Sequence, residues 1–219
     1  MQSPAGKRRK AGRSSSNLYS QAQYAQRAAQ YDLELAPFEP YRAQAIAALE
    51  LRPGDTVLDV GCGTGLSFAA LEEGVLPRGR IVGVEPCAEM LAQARERVNR
   101  HHWVNVDLLG ATAAEAPLRG QADAALFHFT HDVLRDPAAI DHVLGHLKPG
   151  AHVVATGLQW AAPWMWATNA FVLAAALYST SSLAGLQRPW DELGRRMTGL
   201  QVHTAGLGGI YIASGRLAR

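Results

Sequence analysis

Two acids and three glycines at fixed spacing carry the most chemistry in this chain of 219 residues. Asp59 stands two positions before Gly61, and Gly61, Gly63 and Gly65 alternate through Gly61-Cys62-Gly63-Thr64-Gly65. Glu85 follows about 20 residues later, the spacing of an acid that meets ribose hydroxyls. Alternate glycines let backbone N–H groups approach a ligand, because a Cβ would block that approach and the turn can require φ > 0. Two other phosphate-binding patterns fail. In G-x-G-x-x-G/A the last position falls on Leu66 counted from Gly61, or on Phe68 counted from Gly63, and a Walker loop needs a Lys that is nowhere near. A second reactive group is His128-Phe129-Thr130-His131-Asp132. A neutral imidazole there could take a proton from an attacking hydroxyl or ammonium near physiological pH.

The hydrophobic pattern supplies the elements that position these residues. Residues 56–60 form an apolar, β-branched run with one acid, which predicts a buried parallel strand. A helix opens over 66–71. Residues 81–85 predict the next strand, ending on Glu85, and 87–99 a helix with Met90, Leu91, Ala94 and Val98 on one face. Strands follow over 103–109 and 123–127, the second delivering the histidine group at its carboxyl end. Residues 137–147 predict a helix and 151–157 a fifth strand. Another helix over 189–197 precedes two last strands, 200–204 and 209–214, joined by a glycine-rich turn. Upstream, 17–31 and 41–51 predict helices, with Arg52-Pro53-Gly54-Asp55 as the turn into the central strand. Alternating strands and helices predict an α/β fold whose ligand crevice lies outside the carboxyl ends of the strands.

Composition bounds the rest. With 48% hydrophobic residues the chain can build a sizeable core. Net charge is +2, but Lys7, Arg8, Arg9, Lys10 and Arg13 are five of its basic residues. The remainder therefore carries 16 basic against 19 acidic side chains, which excludes a uniformly basic nucleic-acid binder. Residues 1–16 are expected to be a disordered basic tail. Cys62 and Cys87 give no disulfide framework. No apolar segment follows the basic cluster as in a secretory signal, and no run reaches the roughly 20 residues of a membrane span, so the cytoplasm is the expected compartment. Three Lys against 18 Arg suggest a GC-rich bacterial genome. His142 and His146 have a metal-ligand spacing, but no third ligand is suggested and no metal is expected.

The run Val57-Leu58-Asp59-Val60-Gly61-Cys62-Gly63-Thr64-Gly65 resembles motif I of the class I S-adenosylmethionine-dependent methyltransferases. The overall style is similar to the small-molecule, ubiquinone/menaquinone-biosynthesis type. The resemblance runs from about residue 32 to the C-terminus and is motif-specific over 56–85. It implies a Rossmann-like, seven-stranded, mostly parallel sheet with helices on both faces and a C-terminal antiparallel hairpin. It also implies a helical cap over 17–51 and a helical insert after strand five over 159–198, within one methyltransferase domain over 17–219. The implied cofactor is S-adenosylmethionine, leaving as S-adenosylhomocysteine.

On the same resemblance Asp59 holds the amino group of the methionine moiety, directly or through water, and Gly61, Cys62, Gly63, Thr64 and Gly65 approach the methionine and ribose. Glu85 binds the ribose. Pro86 and Met90, in Glu85-Pro86-Cys87-Ala88-Glu89-Met90-Leu91, lie toward the adenine. Relatives often read D-A-E-x-L-P-F after strand three; here Thr112-Ala113-Ala114-Glu115-Ala116-Pro117-Leu118 replaces that Asp by Thr112. Adenine then falls to Thr112 and the Ala113 backbone, or to Glu115. Phe127 and His128 border the cofactor, and Tyr31 folds over it. His128 and His131 are the catalytic candidates; the alternatives are that His128 only touches the methionine moiety and that His131 caps or packs against the next helix. Tyr19, Trp160 and Trp164 are candidates for the acceptor. The aromatic stretch 160–178 suits a flat or apolar acceptor or a cation, and equally a membrane surface, a dimer partner or a core helix.

The expected function is methyl transfer to nitrogen or oxygen of a small molecule, by a monomer or homodimer. The strand-four sequence His128-Phe129-Thr130-His131 lacks the D/N-P-P-Y/F pattern of nucleic-acid amino-methylases. The competing expectations are a membrane-associated phospholipid- or quinone-type methyltransferase with peripheral lipid contact, and a non-catalytic S-adenosylmethionine-binding module.

Overall fold

Neighbouring residues along each inner strand enter opposite cores, which is the period of a sheet buried on both faces. The structure, a computed structural model, describes residues 35–180 and 182–218. The basic tail, Tyr19, Tyr31 and most of the expected cap lie outside the described residues. The strands are β1 (Thr56–Val60), β2 (Arg80–Val84), β3 (Val106–Leu109), β4 (Ala122–His128), β5 (Leu147–Leu158), β6 (Met197–Ala205) and β7 (Ile210–Leu217). They lie in the order β3-β2-β1-β4-β5-β7-β6. β1 to β5 pair in parallel, and β7 runs antiparallel to both β5 and β6. The helices are α1 (Glu39–Ala47), α2 (Phe68–Val75), α3 (Ala88–His101), α4 (His131–Leu134), α5 (Pro137–Leu144), α6 (Trp166–Ser179) and α7 (Asp191–Gly194).

On one face, Val57, Ala124, Leu126, Val154 and Ile212 pack under α1, α2 and α3, with Ile46, Phe68, Leu71 and Val98 filling the layer. On the other, Leu58, Val60, Phe127, Val153 and Tyr211 pack against Leu134, Ile140, Val143 and Leu193. A third cluster of Leu158, Val172, Ala176, Leu186 and Ile210 seats α6 over the ends of β5 and β7. The sheet order changes direction between β1 and β4, so the crevice opens at their carboxyl ends.

Several boundaries differ from the sequence reading. The third strand starts at Val106 rather than 103, because α3 ends in a Schellman-type cap. His102 takes a left-handed conformation (φ 57), and the Trp103 N–H bonds Val98 O at 3.2 Å. The helix after the glycine loop begins at Phe68, two residues later than expected. The helix expected over 137–147 stops at Leu144, and β5 starts at Leu147, ahead of the turn glycine Gly150. That helix is started by Asp136, whose carboxylate accepts from the N–H groups of Ala138 and Ala139, with Pro137 at the first helical position. The helix expected over 189–197 shrinks to α7, because Met197 already pairs with Leu217 in the sheet edge.

Candidate functional site

β1 delivers the chain into the glycine loop, and the loop is fixed from both sides. The N–H groups of Gly61 and Cys62 bond Val84 O at 2.8 and 3.1 Å, tying the loop to the end of β2. Gly61, Gly63 and Gly65 all have positive φ (72, 56 and 78°), which L side chains rarely adopt. A Cβ on Gly61 would also collide with the Thr130 side chain, and one on Gly65 with the Phe68 ring.

Glu85 leaves β2 and turns back toward this loop. Its Oε2 accepts from the Gly63 N–H at 3.1 Å and its Oε1 from the Cys87 N–H at 2.8 Å. Burial pushes its pKa up, and these two backbone donors oppose the rise. Each oxygen keeps a lone pair for a ligand hydroxyl. Pro86 is exposed, whereas Met90 is buried on the α3 face.

Asp59, His128 and Thr130 share an unusual property. Asp59 is 1% exposed, and its Oδ2, the His128 Nε2 and the Thr130 Oγ1 are all buried without a hydrogen-bond partner. A buried polar atom left unsatisfied costs about 1–3 kcal/mol, so three together at the ends of β1 and β4 mark where a ligand belongs. Burial raises the Asp59 pKa to about 7, against the opposing charge of Arg42. Burial, helped by the same Arg42, lowers the His128 pKa to about 3. Between His128 and Thr130, Phe129 adopts φ 56, strained for a bulky residue. Its ring packs on Phe38 at 4.9 Å between centroids.

The remaining expected residues distribute unevenly. Phe127 is fully buried in the core under α5, so only its backbone faces the crevice; strand alternation sends its side chain away from the side of Asp59 and His128. His128, neutral to about pH 3, is a poor general base. His131 opens α4, nearly buried, with its Nε2 3.0 Å from Ala184 O. A carbonyl only accepts, so Nε2 carries the proton and Nδ1 the lone pair. His131 lines a small cleft with Phe129, Gly157, Leu158, Leu186 and Tyr211. Thr112 donates to Glu115 Oε2 at 3.2 Å, and Ala113 is buried beside them. Trp160 is half-buried against the α6 cluster, but Trp164 is 78% exposed and does not line the cleft. His142 bonds Ala116 O and His146 bonds His142 O, both structural contacts. Among the described residues no group of three side chains could hold a metal.

Sequence reasoning missed Arg42 and Tyr211. Arg42 stands with Ala45, Ile46 and Leu49 on the buried face of α1 and its end, an i, i+3, i+4, i+7 pattern that could have exposed it. Tyr211 reaches the cleft only through its pairing with Gly157, which topology alone dictates.

Residues 57–150 match the family of methyltransferase domains. The chain is 38% identical over 106 residues to trans-aconitate 2-methyltransferase of Azoarcus, covering 48% of this chain and 40% of that one. It is 30% identical over 119 residues to demethylmenaquinone methyltransferase of Bacillus cereus, covering 52% and 49%. The chain thus spans less than half the length of these curated relatives. Among solved structures, the N-methyltransferase NodS of Bradyrhizobium japonicum with S-adenosyl-L-homocysteine superposes with a TM-score of 0.67 over 91% of this chain and 99% of that one. At 16% identity that likeness speaks for the fold alone. The match across the glycine loop, Glu85 and β4 identifies residues 57–150 as a methyltransferase domain, and the fold is one that methyltransferase structures share.

Proposed function

We propose that the chain transfers a methyl group from S-adenosylmethionine to a nitrogen or oxygen of a small-molecule acceptor. The observation that carries this reading is the set of partnerless buried atoms, Asp59 Oδ2, His128 Nε2 and Thr130 Oγ1, at the carboxyl ends of β1 and β4, with Thr130 against Gly61 of the glycine loop. These groups fit the cofactor: Asp59 for its ammonium, the main chain of Gly61–Gly65 for the methionine and ribose, and Glu85 for the ribose hydroxyls. Met90, Thr112 and the Ala113 backbone complete the adenine side. Bound there, the cofactor supplies a methyl group activated on a sulfonium. The protein then needs to bind, align and exclude water, and alignment alone can supply about 7–11 kcal/mol.

On the acceptor side, the cleft beside Phe129 and Leu158 offers apolar walls with four polar side chains, His131, Ser179, Thr180 and Tyr211. His131 Nδ1 takes the proton released by a hydroxyl acceptor; an amine with a free lone pair needs no base. The relatives' names, trans-aconitate and demethylmenaquinone methyltransferase, support a small acceptor. The test is methyl transfer from labelled S-adenosylmethionine to a panel of small amines, phenols and carboxylates. Labelled product supports the enzyme; tight cofactor binding with no transfer across the panel favours a binding module.

A lipid-surface reading has its own support. The outward face of α6 and its approach is apolar, with Trp164 and Trp166 each 78% and Leu177 62% exposed. No helix of the described residues is long and apolar enough to cross a membrane. Co-sedimentation with anionic vesicles, lost on Trp164→Ser plus Trp166→Ser, would support a peripheral quinone- or phospholipid-type enzyme. Absence of sedimentation by the full chain leaves the cytoplasmic small-molecule reading.

A further inference from the structure

No Asp, Glu, Lys or Arg lines the acceptor cleft. Its walls are Phe129, Leu158 and Leu186, and three of its four polar side chains have already committed their polar hydrogens. Ser179 Oγ donates to Ala175 O at 2.7 Å. Thr180 Oγ1 has Ala176 O and Ser182 O both at 3.0 Å. His131 gives its Nε2–H to Ala184 O. What Thr180 and His131 still offer a ligand is lone pairs. The charges that reach His131, Asp132 and Arg135, are of opposite sign and act against each other.

Tyr211 is the exception. It is 1% exposed, and its ring packs on Trp190 at 5.0 Å between centroids. Its backbone carbonyl accepts from Thr156, but its hydroxyl has no hydrogen-bond partner among the described residues. Gly157 pairs with it across the sheet. A Cβ on Gly157 would stand 3.5 Å from that hydroxyl oxygen, so the missing side chain leaves the oxygen open to the cleft that both residues line. Burial holds the phenol proton well above the ordinary tyrosine value, so the group stays a neutral donor. A nearly buried hydroxyl with an unspent proton is costly unless a ligand meets it.

We infer that Tyr211 is the selectivity residue of the acceptor cleft, and that the acceptor is an uncharged phenol or enol carrying a second, carbonyl-type oxygen. The reacting hydroxyl donates to His131 Nδ1, and the second oxygen accepts from Tyr211. In transfer the O–CH3 bond forms as the S–CH3 bond breaks. The electron pair of the broken bond stays on sulfur, and the hydroxyl proton passes to His131 Nδ1. A carboxylate is excluded because it would be desolvated among apolar walls with one neutral donor and no cation. The inference rests on the methyltransferase reading and narrows its acceptor to one class. It also separates this chain from trans-aconitate 2-methyltransferase, since trans-aconitate carries three carboxylates.

The test is methyl transfer by the full chain from labelled S-adenosylmethionine to three matched sets of phenols. The hydroxyacetophenone isomers carry a ketone, the ethylphenols keep its shape without the oxygen, and the hydroxybenzoates carry a carboxylate. Wild type should use at least one hydroxyacetophenone, with kcat/KM about 100-fold or more above the matching hydroxybenzoate. A ketone also acidifies its phenol, so the Tyr211 contribution is read from the ketone-to-ethyl ratio in wild type and variant. Tyr211→Phe should lower that ratio about 10-fold, mainly through KM, the size of one lost neutral hydrogen bond. Gly157→Ala, whose methyl would crowd the same hydroxyl, should lower it in the same direction. Calorimetry with S-adenosylhomocysteine should show both variants binding as wild type does, which reports an intact fold. An unchanged ratio in Tyr211→Phe overturns the selectivity role. Wild type that uses hydroxybenzoates as well as ketones, or no phenol at all, overturns the acceptor class and needs no variant to fold. If S-adenosylhomocysteine still binds in that case, the cofactor reading stands; if it does not, both fall together.

Discussion

The two halves of the crevice are built differently. The β1–β2 half is made of main chain and local sequence: a glycine loop with positive φ at each glycine, an acid at the end of each strand, and hydrogen bonds from Gly63 and Cys87 to Glu85. The β4–β5 half is made of side chains from distant segments. There Phe129, His131, Leu186 and Tyr211 meet only because α6 and β7 fold back over β5. The first half suits a constant ligand recognised by its polar groups. The second has apolar walls and four polar side chains, which suits selection of a variable partner by shape. Binding and selectivity should therefore respond to different mutations.

The sharpest way to break that division is Gly61→Val. It puts a branched side chain at φ 72 and into Thr130, so cofactor binding should fall below detection and stability should drop by about 2–4 kcal/mol. Calorimetry and thermal unfolding check both; near-normal binding would remove the loop from the site. On the other half, His131→Gln should lower kcat for a hydroxyl acceptor by about 100-fold or more while cofactor affinity stays unchanged. A matching loss of affinity would erase the separation between the halves.

Proton linkage sharpens the comparison further. Asp59 has a folded pKa of about 7, above the ordinary carboxylate value of 3.8. The folded free protein thus holds that proton more tightly than the unfolded chain, so this group's contribution to stability falls as pH rises from about 4 to about 7. Binding a cationic ammonium needs the ionised form, so affinity rises over the same window, by up to about tenfold per pH unit. Titrations from pH 5 to 8 should show these opposite trends, and Asp59→Asn should flatten both. The smallest effect belongs to the outer face of α6. Trp164→Ser should change stability by less than about 0.5 kcal/mol and leave transfer to a soluble acceptor intact. A large loss there would make Trp164 an acceptor residue after all.

The same contrast explains what was legible in the sequence. The β1 strand, the glycine loop and Glu85 could be read because each is specified within a few residues, by a continuous apolar, β-branched run, by glycine spacing and by a strand-end acid. The sheet order and terminal hairpin came through the family resemblance rather than the residue pattern. The start of β3 was misplaced because Trp103 is β-prone by type, yet its N–H caps α3. Phe127 was misdirected because adjacency to the site says nothing about which face a side chain takes. Arg42 was overlooked because a single arginine in an Ala-rich helix looks like solvent-facing charge until its neighbours on the same face prove buried. Tyr211 and the exposure of Trp164 depend on how β7 and α6 close over the sheet, which no local pattern encodes.

The central claim is that the glycine loop and Glu85 form an S-adenosylmethionine site, and calorimetric titration of that ligand into wild type and Glu85→Ala tests it most directly. Wild type should bind, and the variant should lose about 1–3 kcal/mol, from the hydrogen bonds that the carboxylate no longer accepts. Wild type that ignores S-adenosylmethionine but binds NADH or another nucleotide would contradict it.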